Sequence, residues 1–77
     1  MTNRFNTLLS WDAEDRLWVA YVPSLNWLST YGKTKEEAME QVTDAIIGYL
    51  EAAAKEGIEA PPGDSDAELR YVEVAAR

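Results

Sequence analysis

Hydrophobic and polar positions change period along this chain. Over residues 4–11, "RFNTLLSW", Phe5, Thr7, Leu9 and Trp11 share one side of an extended run, the two-residue period of a pleated backbone. The polar link "DAED" interrupts, and "RLWVAYV" resumes with Leu17, Val19 and Tyr21 set against Trp18, Ala20 and Val22. Two such runs around a short polar link predict a β-hairpin. The second run is apolar on both faces, as in a strand covered on both sides. Pro23 ends it, because proline brings no N–H to a ladder. "NWLSTYG" predicts a third short strand, closed by Gly32.

The period then lengthens. From Lys35 to about Glu56, Ala38, Val42, Ala45, Ile46, Tyr49, Leu50 and Ala53 recur at steps of three and four, the stripe of a long amphipathic helix. Gly57 is placed as the residue after its C-cap, with Ile58 set to fold back on the last turn. Gly48 interrupts the helix at a cost of up to ~1 kcal/mol relative to Ala. "EAPPGDSDAE" reads as a loop, and "LRYVEVA" alternates again as a last strand, Leu69, Tyr71 and Glu73 against Arg70, Val72 and Val74. The order β-β-β-α-β predicts an α+β two-layer sandwich: one antiparallel sheet with one long helix across it, in a single domain spanning residues 1–77.

The junction between third strand and helix, "STYGKTKEEA", contains Gly-Lys-Thr, the end of a phosphate-binding loop. That loop needs a second glycine five places before Gly32 so that the backbone can wrap the phosphates, and Trp27 stands there. Thr34 and Glu37 fit another pattern. Ser/Thr-x-x-Glu is a capping box, in which the hydroxyl accepts from the third N–H and the carboxylate reaches back to the cap. Glu36 and Glu37 also meet the positive end of the helix dipole. The tripeptide belongs to a helix start.

Composition narrows the function. Seven basic side chains face 14 acidic ones in 77 residues, a net charge of −7. Nucleic-acid affinity comes from Lys and Arg displacing counterions, so direct binding to nucleic acid is not expected, and the charge favours either plain solubility or a basic partner. The chain has no Cys and no His, which removes disulfides, the usual structural zinc ligands, and the usual general bases and thiol nucleophiles. No catalytic residue, metal or cofactor is assigned. No apolar run approaches the ~20 residues of a membrane span, and "MTNRFN" is not a secretory signal, so the cytoplasm is the expected compartment. Three Trp and four Tyr are too many large rings for one helix–sheet interface. A single helix leaves one face of the central strand uncovered, which predicts a homodimer or homotetramer.

The ordered set Val22, Pro23, Leu25, Gly32, Thr34, Glu37, Ala38 and Pro61-Pro62 resembles the HicB family of bacterial antitoxins over roughly Phe5 to Pro62. The family pattern is Val-Pro-Asp-Leu-Pro-Gly-Cys, then Gly-Asp-Thr, then Glu-Ala, a helix and a proline-rich exit. Ser24 replaces its Asp, and Asn26-Trp27-Leu28 replaces Pro-Gly-Cys. The resemblance implies a partial ribonuclease H-like fold and a partner, a small basic ribonuclease toxin of the HicA type. Many HicB proteins continue into a DNA-binding domain, whereas this sequence reads as a stand-alone copy of the N-terminal domain. The expected toxin contacts are Asp12, Glu14, Asp15 and Trp27, chosen on charge and position. The same three acids raise the possibility of a divalent-metal nuclease site, but they share one turn, and such sites need carboxylates converging from rigid strands. The alternative function is an orphan oligomeric structural or ligand-binding domain with no toxin.

The helix-start reading carries a direct test. Thr34→Ala is expected to lower stability by ~1 kcal/mol, as loss of an N-cap does, while Lys33→Ala changes little in urea titration. A nucleotide site would show the reverse, with an ATP-dependent thermal shift that requires Lys33.

Overall fold

The computed structural model describes residues 3–75. Three strands, β1 (Leu8–Asp12), β2 (Leu17–Val22) and β3 (Leu28–Gly32), form an antiparallel meander in the order β1-β2-β3, followed by the helix α1 (Lys35–Lys55). The α+β class, antiparallel sheet and single long helix are those read from the sequence. The fourth strand is not formed: among the described residues, 69–75 carry no strand pairing and lie exposed. Among the described residues no backbone pairs with this alternating segment.

Register decides which side chains share a face. Leu9 stands opposite Ala20 and Trp11 opposite Trp18, while Trp18 faces Gly32 and Val22 faces Leu28 across the other ladder. These residues line the side that α1 covers. Ala20, Val22, Leu25, Ala38 and Val42 are fully buried there, with Phe5, Leu9, Trp18, Leu28 and Ile46 packed around them. Burying a Val or Leu side chain contributes about 1.5–3 kcal/mol. Among the described residues only Leu25, Val22 and Val42 are large and fully enclosed, so this is a small core.

The first strand is shorter than the period predicts. Residues 4–7 leave the ladder because their polar groups are engaged elsewhere. The Asp64 N–H donates to the Arg4 carbonyl at 2.7 Å, and the Asp64 carboxylate accepts from the Asn6 N–H at 2.7 Å and the Ser24 hydroxyl at 3.0 Å. Arg4 also pairs with Asp66. Gly63, at φ +102°, brings its Cα so near that an added Cβ would lie 3.1 Å from the Arg4 carbonyl oxygen. Ser24 suits this latch, since an Asp there would set one carboxylate against another.

After β2 the chain makes a 3-10 turn, Pro23–Leu25, that the periodicity did not predict. Proline at its first position needs no N–H partner, and Leu25 drops into the core. Asn26 and Trp27 follow with φ of +59° and +58°. These two left-handed residues end the turn and delay β3 to Leu28, two positions later than its pattern implied.

The helix is fixed at both ends. The Thr34 hydroxyl accepts from the Glu37 N–H at 3.0 Å; among the described residues the Glu37 carboxylate makes no return bond, so only half of the box forms. At the far end Gly57, at φ +73°, sends its N–H to the Ala54 carbonyl, and Ile58 sends its own to Ala53 at 2.8 Å, a Schellman closure. Gly32 has a role that the sequence reading did not give it. A Cβ there would meet the Ala38 nitrogen at 2.5 Å and the Glu37 carbonyl carbon at 2.8 Å. It therefore admits the helix's first turn rather than making a turn by its own dihedral freedom. Thr30 adds a second tie, its hydroxyl donating to the Ala38 carbonyl at 3.2 Å.

Two glycines of the same chain should thus respond in opposite ways. Gly32→Ala drives a methyl into helix backbone and is expected to cost ~1–3 kcal/mol or more. A Cβ at Gly48 meets nothing within 4 Å, so Gly48→Ala should stabilise by up to ~1 kcal/mol through helix propensity. Chemical denaturation of both variants checks the pair.

Candidate protein-docking face

The helix takes one side of the sheet and leaves the other open. By register the open side carries Leu8, Ser10 and Asp12 from β1, Leu17, Val19 and Tyr21 from β2, and Ser29 and Tyr31 from β3. Leu8, Leu17, Val19 and Tyr21 shield one another and are half-buried, whereas Tyr31 is 65% exposed. Trp27 joins them, its ring 6.2 Å from that of Tyr21 and nearly edge-on, with 60% of its surface exposed. Grouped apolar surface of this kind, rimmed by polar residues, is characteristic of association sites.

Asp12, Glu14 and Asp15 occupy the β1–β2 turn. The Asp12 Oδ1 accepts from the backbone N–H groups of Glu14 at 3.0 Å and Asp15 at 3.1 Å, the local bonding for which turns use Asp. Arg16, at φ +54°, closes the loop. Asp12 therefore shapes the turn, and the exposed Glu14 and Asp15 carry the charge. The four sequence-chosen residues are not gathered at one point. Asp12 pairs with Leu17, at the start of β2, and Trp27 packs on Tyr21, four residues or about 14 Å along the strand. Asp12 and Tyr21 nevertheless belong to one face, so acids mark one end of it and Trp27 the other. Thr34 and Glu37 lie at the helix start, in a structural role.

The sequence reading grouped Leu17, Val19 and Tyr21 but left Leu8 and Tyr31 out. Their membership follows from the pairings Leu8–Tyr21 and Tyr31–Val19, which no single strand's period reveals. Among the described residues no group of three or more acidic side chains is arranged to hold a metal ion. No described helix is long and apolar enough to cross a membrane.

A UPF0150 protein of Thermoplasma acidophilum is 36% identical to this chain over 53 residues, which is 69% of this chain and 77% of that relative. The chain belongs to the UPF0150 family. No protein-family model matches it, and no solved structure does.

Trp27 is unusual within the open face. A bulky residue in the left-handed region is disfavoured by about 1–2 kcal/mol, and here the exposed ring buries little in return. Trp27→Gly is therefore expected to leave folding stability within ~1 kcal/mol of the parent. Truncating a ring packed into a core costs about 3–5 kcal/mol, a loss that would show Trp27 to be a packing residue.

Proposed function

We propose that this UPF0150 chain is a protein-binding module of the HicB antitoxin kind, which covers the active site of a small basic ribonuclease toxin with its open sheet face. UPF0150 is a HicB-like family, in keeping with the sequence resemblance. The observation that carries the reading is the layout of the face: exposed acids at the hairpin turn, an apolar centre, and an exposed Trp27 beside Tyr21 at the far end. A ribonuclease must present positive charge to hold RNA. Glu14 and Asp15 would steer that surface by charge, while the aromatic end would supply the desolvated anchor on which interfaces depend. The mechanism is steric and electrostatic, and no catalytic step is assigned to the chain.

The second reading, an orphan oligomeric domain, draws on the same face. Leu8, Leu17, Val19 and Tyr21 at its centre would suit a second apolar surface as well as a toxin. Salt separates the two, because contacts to a basic partner weaken as ionic strength rises, whereas apolar self-association does not.

Co-purification with a small basic protein encoded beside this chain is the primary test. A double charge reversal, Glu14→Lys with Asp15→Lys, is expected to weaken that complex at least tenfold at low salt, mostly through slower association, without loss of helix by circular dichroism. Trp27→Gly should speed dissociation. Failure to recover a ribonuclease partner, with ribonuclease activity unaffected by the chain, would reject the antitoxin reading.

A further inference from the structure

The last described segment of the chain has the pattern of a strand and the environment of none. Residues 69–75 alternate, yet Tyr71, Val72 and Val74 are 90%, 84% and 83% exposed. Among the described residues no backbone hydrogen bond joins this segment to any other. The latch at Asp64 holds the preceding chain across the end of the sheet, against Arg4, Asn6 and Ser24. Ala67, Glu68 and Leu69 pass Asn6, Leu8 and Pro23, and the chain then leaves. The result is an elongated molecule of 51 × 26 × 21 Å with a radius of gyration of 14.8 Å, against about 11–12 Å for a compact chain of this length.

A matching vacancy lies at β1. It is an edge strand, with one side of its backbone unpaired. The helix packs on β2 and β3, so Trp11, on the helix side of β1, stays half exposed. An apolar groove of about 440 Å³ lies further back, between residues 3–7 and the helix, lined by Phe5, Met39, Val42, Ile46, Ile47 and Leu50. A strand laid along β1 would cover Trp11 with one set of side chains and extend the open face with the other. Residues 69–75 suit both requirements: Leu69 and Tyr71 point one way, Val72 and Val74 the other. Seven extended residues span about 23 Å, enough to run the length of a five-residue strand.

We propose that residues 69–75 form a β-strand in trans, pairing with the free edge of β1 in a second copy of this chain, so that two chains exchange C-terminal segments about a two-fold axis. The exchange satisfies an open edge that is otherwise a template for uncontrolled association. It also adds apolar burial to a core with only three large enclosed side chains. The open sheet face stays available, so the exchange holds whether or not the chain binds a toxin.

Sedimentation at micromolar concentration is expected to give twice the 8.6 kDa of one chain. Hydrogen exchange on the same sample should show the amides of 69–75 protected together with those of β1. Val72→Pro removes a ladder N–H outside the core and should raise the dimer dissociation constant at least 100-fold while helix content is retained. Val72→Ala keeps the N–H and should remain dimeric. A monomeric parent protein would overturn the proposal, and protection of 69–75 in that monomer would mean that the strand pairs within its own chain. A Val72→Pro variant as dimeric as the parent would overturn it too, by putting the interface elsewhere. If a variant folds poorly, dilution of the unsubstituted protein decides: protection of 69–75 should fall with the dimer, and protection that survives dissociation would overturn the proposal.

Discussion

The contact between Gly32 and the first turn of α1 governs the rest of this structure. At no other strand position does helix backbone come so close that a single methyl is excluded. That approach, with the Thr30–Ala38 bond beside it, starts the helix directly over the end of β3. From there 21 residues of helix pack chiefly on β2 and β3 and leave Trp11 of β1 half exposed. A small core, an open sheet face and an underfilled flank at β1 all follow from this placement.

These consequences bear on function because the chain has little to spare energetically. Domains of this size bury a modest fraction of their surface, and here the fully enclosed set is Ala20, Val22, Leu25, Ala38 and Val42. Neither a disulfide nor a Cys/His metal site is open to a sequence without those residues. Association is the remaining way to add buried area, and the molecule has two distinct surfaces for it. One is the open face, with its acids and Trp27. The other is the free edge of β1, with the half-exposed Trp11 beside it. Assigning the face to a foreign partner and the edge to a second copy lets both be occupied at once, which a single shared patch would not.

The latch at Asp64 links these surfaces. One carboxylate, accepting from Asn6 and Ser24, fastens the exit of the helix–loop segment to the entrance of β1 and to the 3-10 turn. It thereby sets where the C-terminal arm departs. The same 3-10 turn ends in the left-handed pair Asn26 and Trp27, which places the Trp27 ring against Tyr21. The position of the arm and the position of the exposed ring thus depend on one short stretch of chain, Pro23 to Trp27.

Much of this was legible from the order of residues. Alternation in Leu17–Val22, the three-and-four spacing from Ala38 to Ala53, the Thr34 cap and Gly57 are local signals, and local signals specify strands, helix and helix ends. The acidic turn was legible too, since Asp12 bonds to its own neighbours. Tertiary structure decided what depends on residues far apart in the chain. Which face of β2 the helix covers follows from the close approach at Gly32, and Leu8 and Tyr31 enter the open face only through cross-strand register. Arg4 to Thr7 lost their strand to Asp64, nearly 60 residues away. Residues 69–75 show the limit most clearly: their period is a property of their own sequence, but a strand also needs a second backbone, and among the described residues none pairs with them.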